Sequence, residues 1–271
     1  MRQQLPGLEN LTVANLKEWA ADLGTLGIRD PNVVQLGLAQ GIIINTLGGE
    51  FWAKECTSFG NKQPFFVKKS DVRVLHLAHA LWCLRESRGF PEFLKKNDKN
   101  DFESTYFEAV AAYMFQKQSR DIELVIPSQV RGADFDIKVE GFCAHETLCV
   151  EVKARRSIFR TAPMALNFLK KLRTQLPQDE KGAVFCKISI DEGAIEQEEI
   201  ISVTRRFLSD TARISFIVYC WDMASIDNAI ALAYLAIDRN GEMGPLFGSS
   251  GQPVTPRFMI DLGLLNSTNT N

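Results

Sequence analysis

The sequence predicts an α/β fold, and three observations carry the prediction. Charged and apolar residues alternate with period two over residues 134–139 and 148–153, the mark of strands with two unlike faces. Two further runs, Ala183–Ile190 and Arg213–Cys220, are almost wholly apolar, as strands covered on both faces are. Segments with helical rhythm stand before, between and after the strands, at 102–118, 163–176 and 194–208.

The alternating pair organises the chain. In the first strand Phe135, Ile137 and Val139 share one face, and Asp134, Asp136 and Lys138 the other. In the second, Leu148, Val150 and Val152 oppose Cys149, Glu151 and Lys153. Residues 140–146, with Gly141, read as the loop of a hairpin. Paired in this way, an Asp of the first strand sits beside Glu151 and Lys153 on an open polar face. Two carboxylates and an ammonium there can hold a divalent metal and a water. Alternation alone leaves Asp134 and Asp136 equivalent.

The sequence GADFDI followed by VEVK resembles the PD-(D/E)XK nuclease superfamily. It is most similar to bacterial members in which a Pro-Asp-Phe strand precedes Glu-x-Lys. Ala133 stands where the family usually has Pro, and the likeness spans about residues 102–190. The resemblance implies a restriction-endonuclease-like αβββαβ core, a mixed sheet flanked by helices, behind a helical N-terminal region. The order read from the residues agrees: helix 102–118, a short strand from Asp121, the hairpin, helix 163–176, strand 183–190. It also implies catalytic roles for Asp134, Glu151, Lys153 and Glu108. The metal, Mg²⁺ or Mn²⁺, is expected on Asp134, Asp136, Glu151 and the Val152 carbonyl, with Asp134 favoured over Asp136. Glu108 is notable on chemical grounds as well. It lies among Phe107, Ala109 and Val110, where a carboxylate needs a partner, either a Lys or Arg or the metal.

Seven cations, Lys153, Arg155, Arg156, Arg160, Lys170, Lys171 and Arg173, follow in a run with no acid between Val152 and Thr174. A phosphate backbone would be met by such a run, so all but Lys153 are candidate nucleic-acid-binding residues. The net charge of -2 provides no global basic field. The six cysteines lack metal-ligand spacing and read as reduced thiols. No apolar run reaches the ~20 residues of a membrane span, so no membrane partner and a cytoplasmic location are expected.

Residues 1–97 read as mostly helical, 98–262 as the nuclease-like domain and 263–271 as a disordered tail. Thr12 is placed to cap a helix over Leu11–Leu26. The apolar stretch Asn32–Leu47 is interrupted by Gly37, Gly41 and Gly48-Gly49, which have no phosphate-loop pattern and read as turns and close packing. A third helix, Asp71–Arg88, carries His76 and His79 one turn apart. Ile226–Asn240 fits helix or strand. The function that follows is a metal-dependent nuclease acting on nucleic acid, with DNA the expected substrate. The alternative is a catalytically inactive nuclease-like binding or interaction protein of a defence or mobile-element system. A homodimer or protein partner would engage the N-terminal region.

Overall fold

In the computed structural model of the chain the described residues are 8–56, 66–97, 101–118, 121–126, 134–142, 145–154, 158–189, 193–224, 230–239, 259 and 261–263. The chain divides into two compact units, residues 1–110 with 224–230 and 253–271, and residues 111–223 with 231–252. The first reaches beyond the expected boundary at residue 97. The tail at 264–271 lies outside the described residues.

The first unit is helical. After a short 3₁₀ turn come α1 (Val13–Thr25), α2 (Pro31–Phe51), a π-helical turn (Trp52–Cys56), α3 (Phe66–Leu84), α4 (Phe90–Asn97) and the first half of α5 (Phe102–Gln118). Thr12 caps α1 as its position suggests, its hydroxyl accepting the Asn15 N–H at 3.2 Å. Asp30 caps α2, accepting the Asn32 N–H at 2.9 Å, with Pro31 in the first turn. Of the two expected roles, turns and close packing, Gly37 and Gly41 take close packing within a continuous helix, and only Gly48 departs from helical backbone, with φ 89. A Cβ on Gly37 would lie 2.8 Å from Leu23 Cδ1, and one on Gly41 2.8 Å from Trp19 Cε3. These glycines let α1 lie against α2 instead of ending the helix.

The second unit is a six-stranded mixed sheet in the order β1-β2-β3-β4-β5-β6. Its strands are β1 (Asp121–Leu124), β2 (Ile137–Phe142), β3 (His145–Ala154), β4 (Gly182–Lys187), β5 (Ile214–Ala224) and β6 (Ile230–Asp238). The ambiguous segment after 226 thus contains a strand. β1, β2 and β3 pair antiparallel, while β3, β4 and β5 pair parallel. Parallel neighbours need a crossover, and α6 (Ala162–Arg173) and α7 (Gln197–Ser209) supply the two.

Both crossover helices lie on one face of the sheet. Ala165, Leu169 and Leu172 of α6 and Phe207 and Leu208 of α7 form one core with Cys149, Val184, Cys186, Ile217 and Tyr219. The last turns of α5 pack on the other face, where Phe115 meets Phe142 and Phe185 at centroid distances of 5.1 and 5.8 Å. β4 is buried along its whole length, which is why it reads as an apolar run.

The hairpin is tighter than expected. Phe142 opposes His145, so residues 140–142 and 145–146 belong to strands and only 143–144 connect them. Gly141, at φ 66, takes the left-handed conformation that favours glycine within β2. Among the described residues, no helix is long and apolar enough to cross a membrane.

Candidate active site

The β2–β3 ladder pairs Ile137 with Val150 and Lys138 with Cys149, and one further step along that register brings Asp136 beside Glu151. Asp136 is where β2 leaves the ladder. Its N–H donates to the Val150 carbonyl at 2.9 Å, although Val150 already faces Ile137, and its carbonyl accepts the Val125 N–H at 2.9 Å. The side chain then takes over from the backbone, with Asp136 Oδ2 accepting the Val152 N–H at 2.8 Å. In an extended strand one residue's N–H and C=O point to the same side. The Val152 carbonyl therefore faces the edge where Asp136 lies.

Lys153 completes the group. Its Nζ lies 2.6 Å from Glu151 Oε1 and 3.7 Å from Asp136 Oδ2. The Asp136 and Glu151 side chains are 5% and 0% exposed, that of Lys153 38%. Burial strips both acids of hydration, a loss that a paired ammonium offsets. Alternation left two aspartates equivalent; Asp136 Oδ2 accepts the Val152 N–H and lies 3.7 Å from Lys153 Nζ. Asp134 lies partly buried, ahead of the first ladder residue.

One expectation is corrected here. The face bearing Glu151 is not open, because Cys149, on the same side of β3, is buried in the core under α6 and α7. β3 and β4 are parallel, so the chain must cross over the sheet between them, and α6 covers that face. Lys153, near the end of β3, emerges from this cover with its side chain 38% exposed.

Glu108 belongs to the first unit, where its Oε1 takes Lys96 Nζ at 2.6 Å. This is the Lys partner that burial of a carboxylate called for. Glu103 pairs similarly with Arg73 at 2.7 Å. His79 is buried with its Nε2 3.9 Å from Cys83 Sγ, and burial together with nearby Arg73 lowers the His76 pKa to about 4. Among the described residues, no three His, Cys, Asp or Glu side chains are grouped to hold a metal. The donors at the β3 end are thus two carboxylates and a carbonyl.

The fold divides the basic run that is continuous in sequence. Arg155 and Arg156 lie outside the described residues. Arg160 is exposed on a short segment leading into α6, anchored by buried Phe159, whose carbonyl accepts the Ile195 N–H at 2.7 Å. α6 runs back along the sheet, so Lys170, Lys171 and Arg173 sit at the opposite end of the parallel strands from Lys153. The Arg173 carbonyl accepts from Arg213 at 2.9 Å, and the Arg213 carbonyl takes the Gly182 N–H at the start of β4. Lys170 and Lys171 are exposed, while the Arg173 guanidinium lies 5.9 Å over the Phe207 ring.

Sequence reading passed over a second ion pair. Lys187 Nζ lies 3.1 Å from Asp222 Oδ2 at the ends of β4 and β5, on the sheet face opposite Glu151. The available signal was a Lys inside an otherwise apolar strand, which needs an acid nearby. The described cysteines are free thiols. Burial raises the pKa of Cys56 to about 12 and pushes Cys149 and Cys220 upward, Cys149 also through Glu180, so these thiols stay protonated.

Comparison with family models, with curated proteins and with solved structures gave no match for this chain.

Proposed function

We propose that the chain is a metal-dependent nuclease of the PD-(D/E)XK type that hydrolyses phosphodiester bonds of DNA. The observation that carries this reading is the meeting of Asp136, Glu151 and Lys153 at the end of the β2–β3 hairpin. The order α5, β1, β2, β3, α6, β4 supports it, because helix, three strands, helix and strand is the order expected of a restriction-endonuclease-like core.

The donor set suits Mg²⁺ or Mn²⁺, which prefer hard oxygen ligands and keep several waters. Lys153 Nζ, within 2.6 and 3.7 Å of the two carboxylates, is a stand-in for a cation at that position. A divalent ion on Asp136, Glu151 and the Val152 carbonyl would polarise a phosphate oxygen and lower the pKa of a bound water.

The chain's own residues do the remaining work. The Val152 N–H holds the Asp136 carboxylate in place. Glu151 brings a buried negative charge on a strand paired on both sides. Lys153, half in solvent, offers an ammonium to charge developing on the phosphate. Arg160 presents a guanidinium to the phosphate backbone from an anchored segment.

The test is incubation of purified protein with plasmid and with linear DNA, with and without Mg²⁺ or Mn²⁺, beside Glu151→Gln and Lys153→Ala. Metal-dependent cleavage by wild type, reduced by orders of magnitude in both variants, is expected, because metal-assisted steps draw several kcal/mol from the ion. Cleavage at wild-type rate in either variant would remove this site from consideration. An inert wild type under all conditions would leave the non-catalytic binding protein as the better reading.

A further inference from the structure

Two buried carboxylates side by side repel each other, and each has lost its water. A cation between them offsets both effects, and Lys153 provides one, at 2.6 Å from Glu151 and 3.7 Å from Asp136. The three partners differ in freedom. Asp136 is tied to the Val152 N–H at 2.8 Å, and Glu151 is wholly buried on a strand paired on both sides. Lys153 is 38% exposed at the end of a flexible four-carbon stem, so its head can reach water without moving the backbone.

Building on the metal-dependent reading above, we infer that Lys153 is a resident counter-ion which a divalent metal must displace. Lysine and metal compete for one pair of carboxylates. In the metal-free protein the ammonium keeps the acids together in the geometry of a metal site. On loading, it leaves the pair for the exposed side, where a phosphate would arrive. Lys153 thus holds the two acids together before loading, sets the metal affinity of the pair and is released toward substrate by the loading step. The two acids and the Val152 carbonyl are already held by the strands.

The competition is tested by calorimetric titration of metal-free protein with Mn²⁺ at one fixed pH, using wild type, Lys153→Met and Lys153→Arg. The methionine variant removes the competing charge at similar length and should bind Mn²⁺ at least about tenfold more tightly. The arginine variant keeps the charge on a planar fork that can hold carboxylates bidentately, so it should bind more weakly than wild type. The thermal midpoint should move in parallel. Metal-free Lys153→Met should melt below wild type, and Mn²⁺ should raise its midpoint by more than it raises that of wild type. If Lys153→Met does not fold without metal, the comparison of wild type with Lys153→Arg decides. Equal Mn²⁺ affinity in all three proteins, or tighter binding by Lys153→Arg, would overturn the competition and leave the metal site standing. Absence of Mn²⁺ binding in all three would overturn the metal-dependent reading itself.

Discussion

A buried ionisable group has to find a partner or give up its charge, and this chain shows both outcomes. Glu108 is 7% exposed and takes Lys96, while Glu151 is 0% exposed and takes Lys153. His76 gives up its charge. Its pKa falls from 6.5 to about 4, first through burial and then through Arg73. Between those values the unfolded chain binds a proton on His76 that the folded protein refuses, so stability rises with pH across that window. The contribution is intact above about pH 6.5 and is lost as pH falls toward 4. His76→Gln should therefore show a shallower fall of thermal midpoint over this range. Superimposable curves for wild type and variant would mean that His76 protonates as readily in the folded state.

Among the elements, α6 is the most informative. Its Ala165, Leu169 and Leu172 enter the core, and spacing alone then turns Lys170 and Lys171 outward. Because the helix runs back along the sheet, those lysines end at the far end of the strands from Glu151 and Lys153. In the proposed nuclease their contribution would belong to binding and not to the chemical step. Lys170→Ala with Lys171→Ala should reduce the slope of log affinity against log salt by about 0.9 for each phosphate no longer neutralised. Turnover at saturating DNA should stay at the wild-type level. An unchanged slope would identify the pair as a solvated helix face, and a fall in turnover would place it nearer the chemistry than the topology allows. The α1–α2 packing makes a separate demand. Gly41→Val would push side-chain atoms into Trp19, whose Cε3 lies 2.8 Å from where a Cβ would stand, and overpacking of this kind destabilises by about 1–3 kcal/mol. Chemical denaturation measures it, and a wild-type midpoint would show that Trp19 yields without strain.

At the scale of the whole molecule, the chain returns late to a unit it built early. Met259 is buried, and Asp261 Oδ2 accepts the Trp82 indole N–H at 2.9 Å, both within the unit formed by residues 1–110. Arg85 lies 3.9 Å over the same Trp82 ring. Asp261→Ala should then cost about 1.5–3 kcal/mol, the range for a hydrogen bond to a charged group. Met259→Ala should cost about 2–5 kcal/mol by emptying a core position. Melting of each variant followed by tryptophan fluorescence checks both values, and a midpoint unmoved in both would show that the segment contributes nothing to the helical unit.

What the sequence determined by itself is what local chemistry controls. Thr12 caps α1 because a hydroxyl just before an amphipathic run has an orphan N–H to satisfy. α5 coincides with the run 102–118, where Gly and Pro are absent. The strands β2 to β5 follow from period two and from apolar continuity, and with them the proximity of an Asp to Glu151 and Lys153. Tertiary structure decided the rest. Gly37 and Gly41 read equally as turns or as close packing, and Leu23 and Trp19 of the neighbouring helix decide for packing. Alternation could not tell which aspartate reaches the Val152 N–H, since that depends on where β2 leaves the ladder. Nor could it tell that the polar face of β3 is covered, because period two assigns residues to faces but not helices to those faces. The parallel crossover put α6 there, burying Glu151 and carrying Lys170 and Lys171 away from the site, while the adjacent Lys153 remained at its open edge.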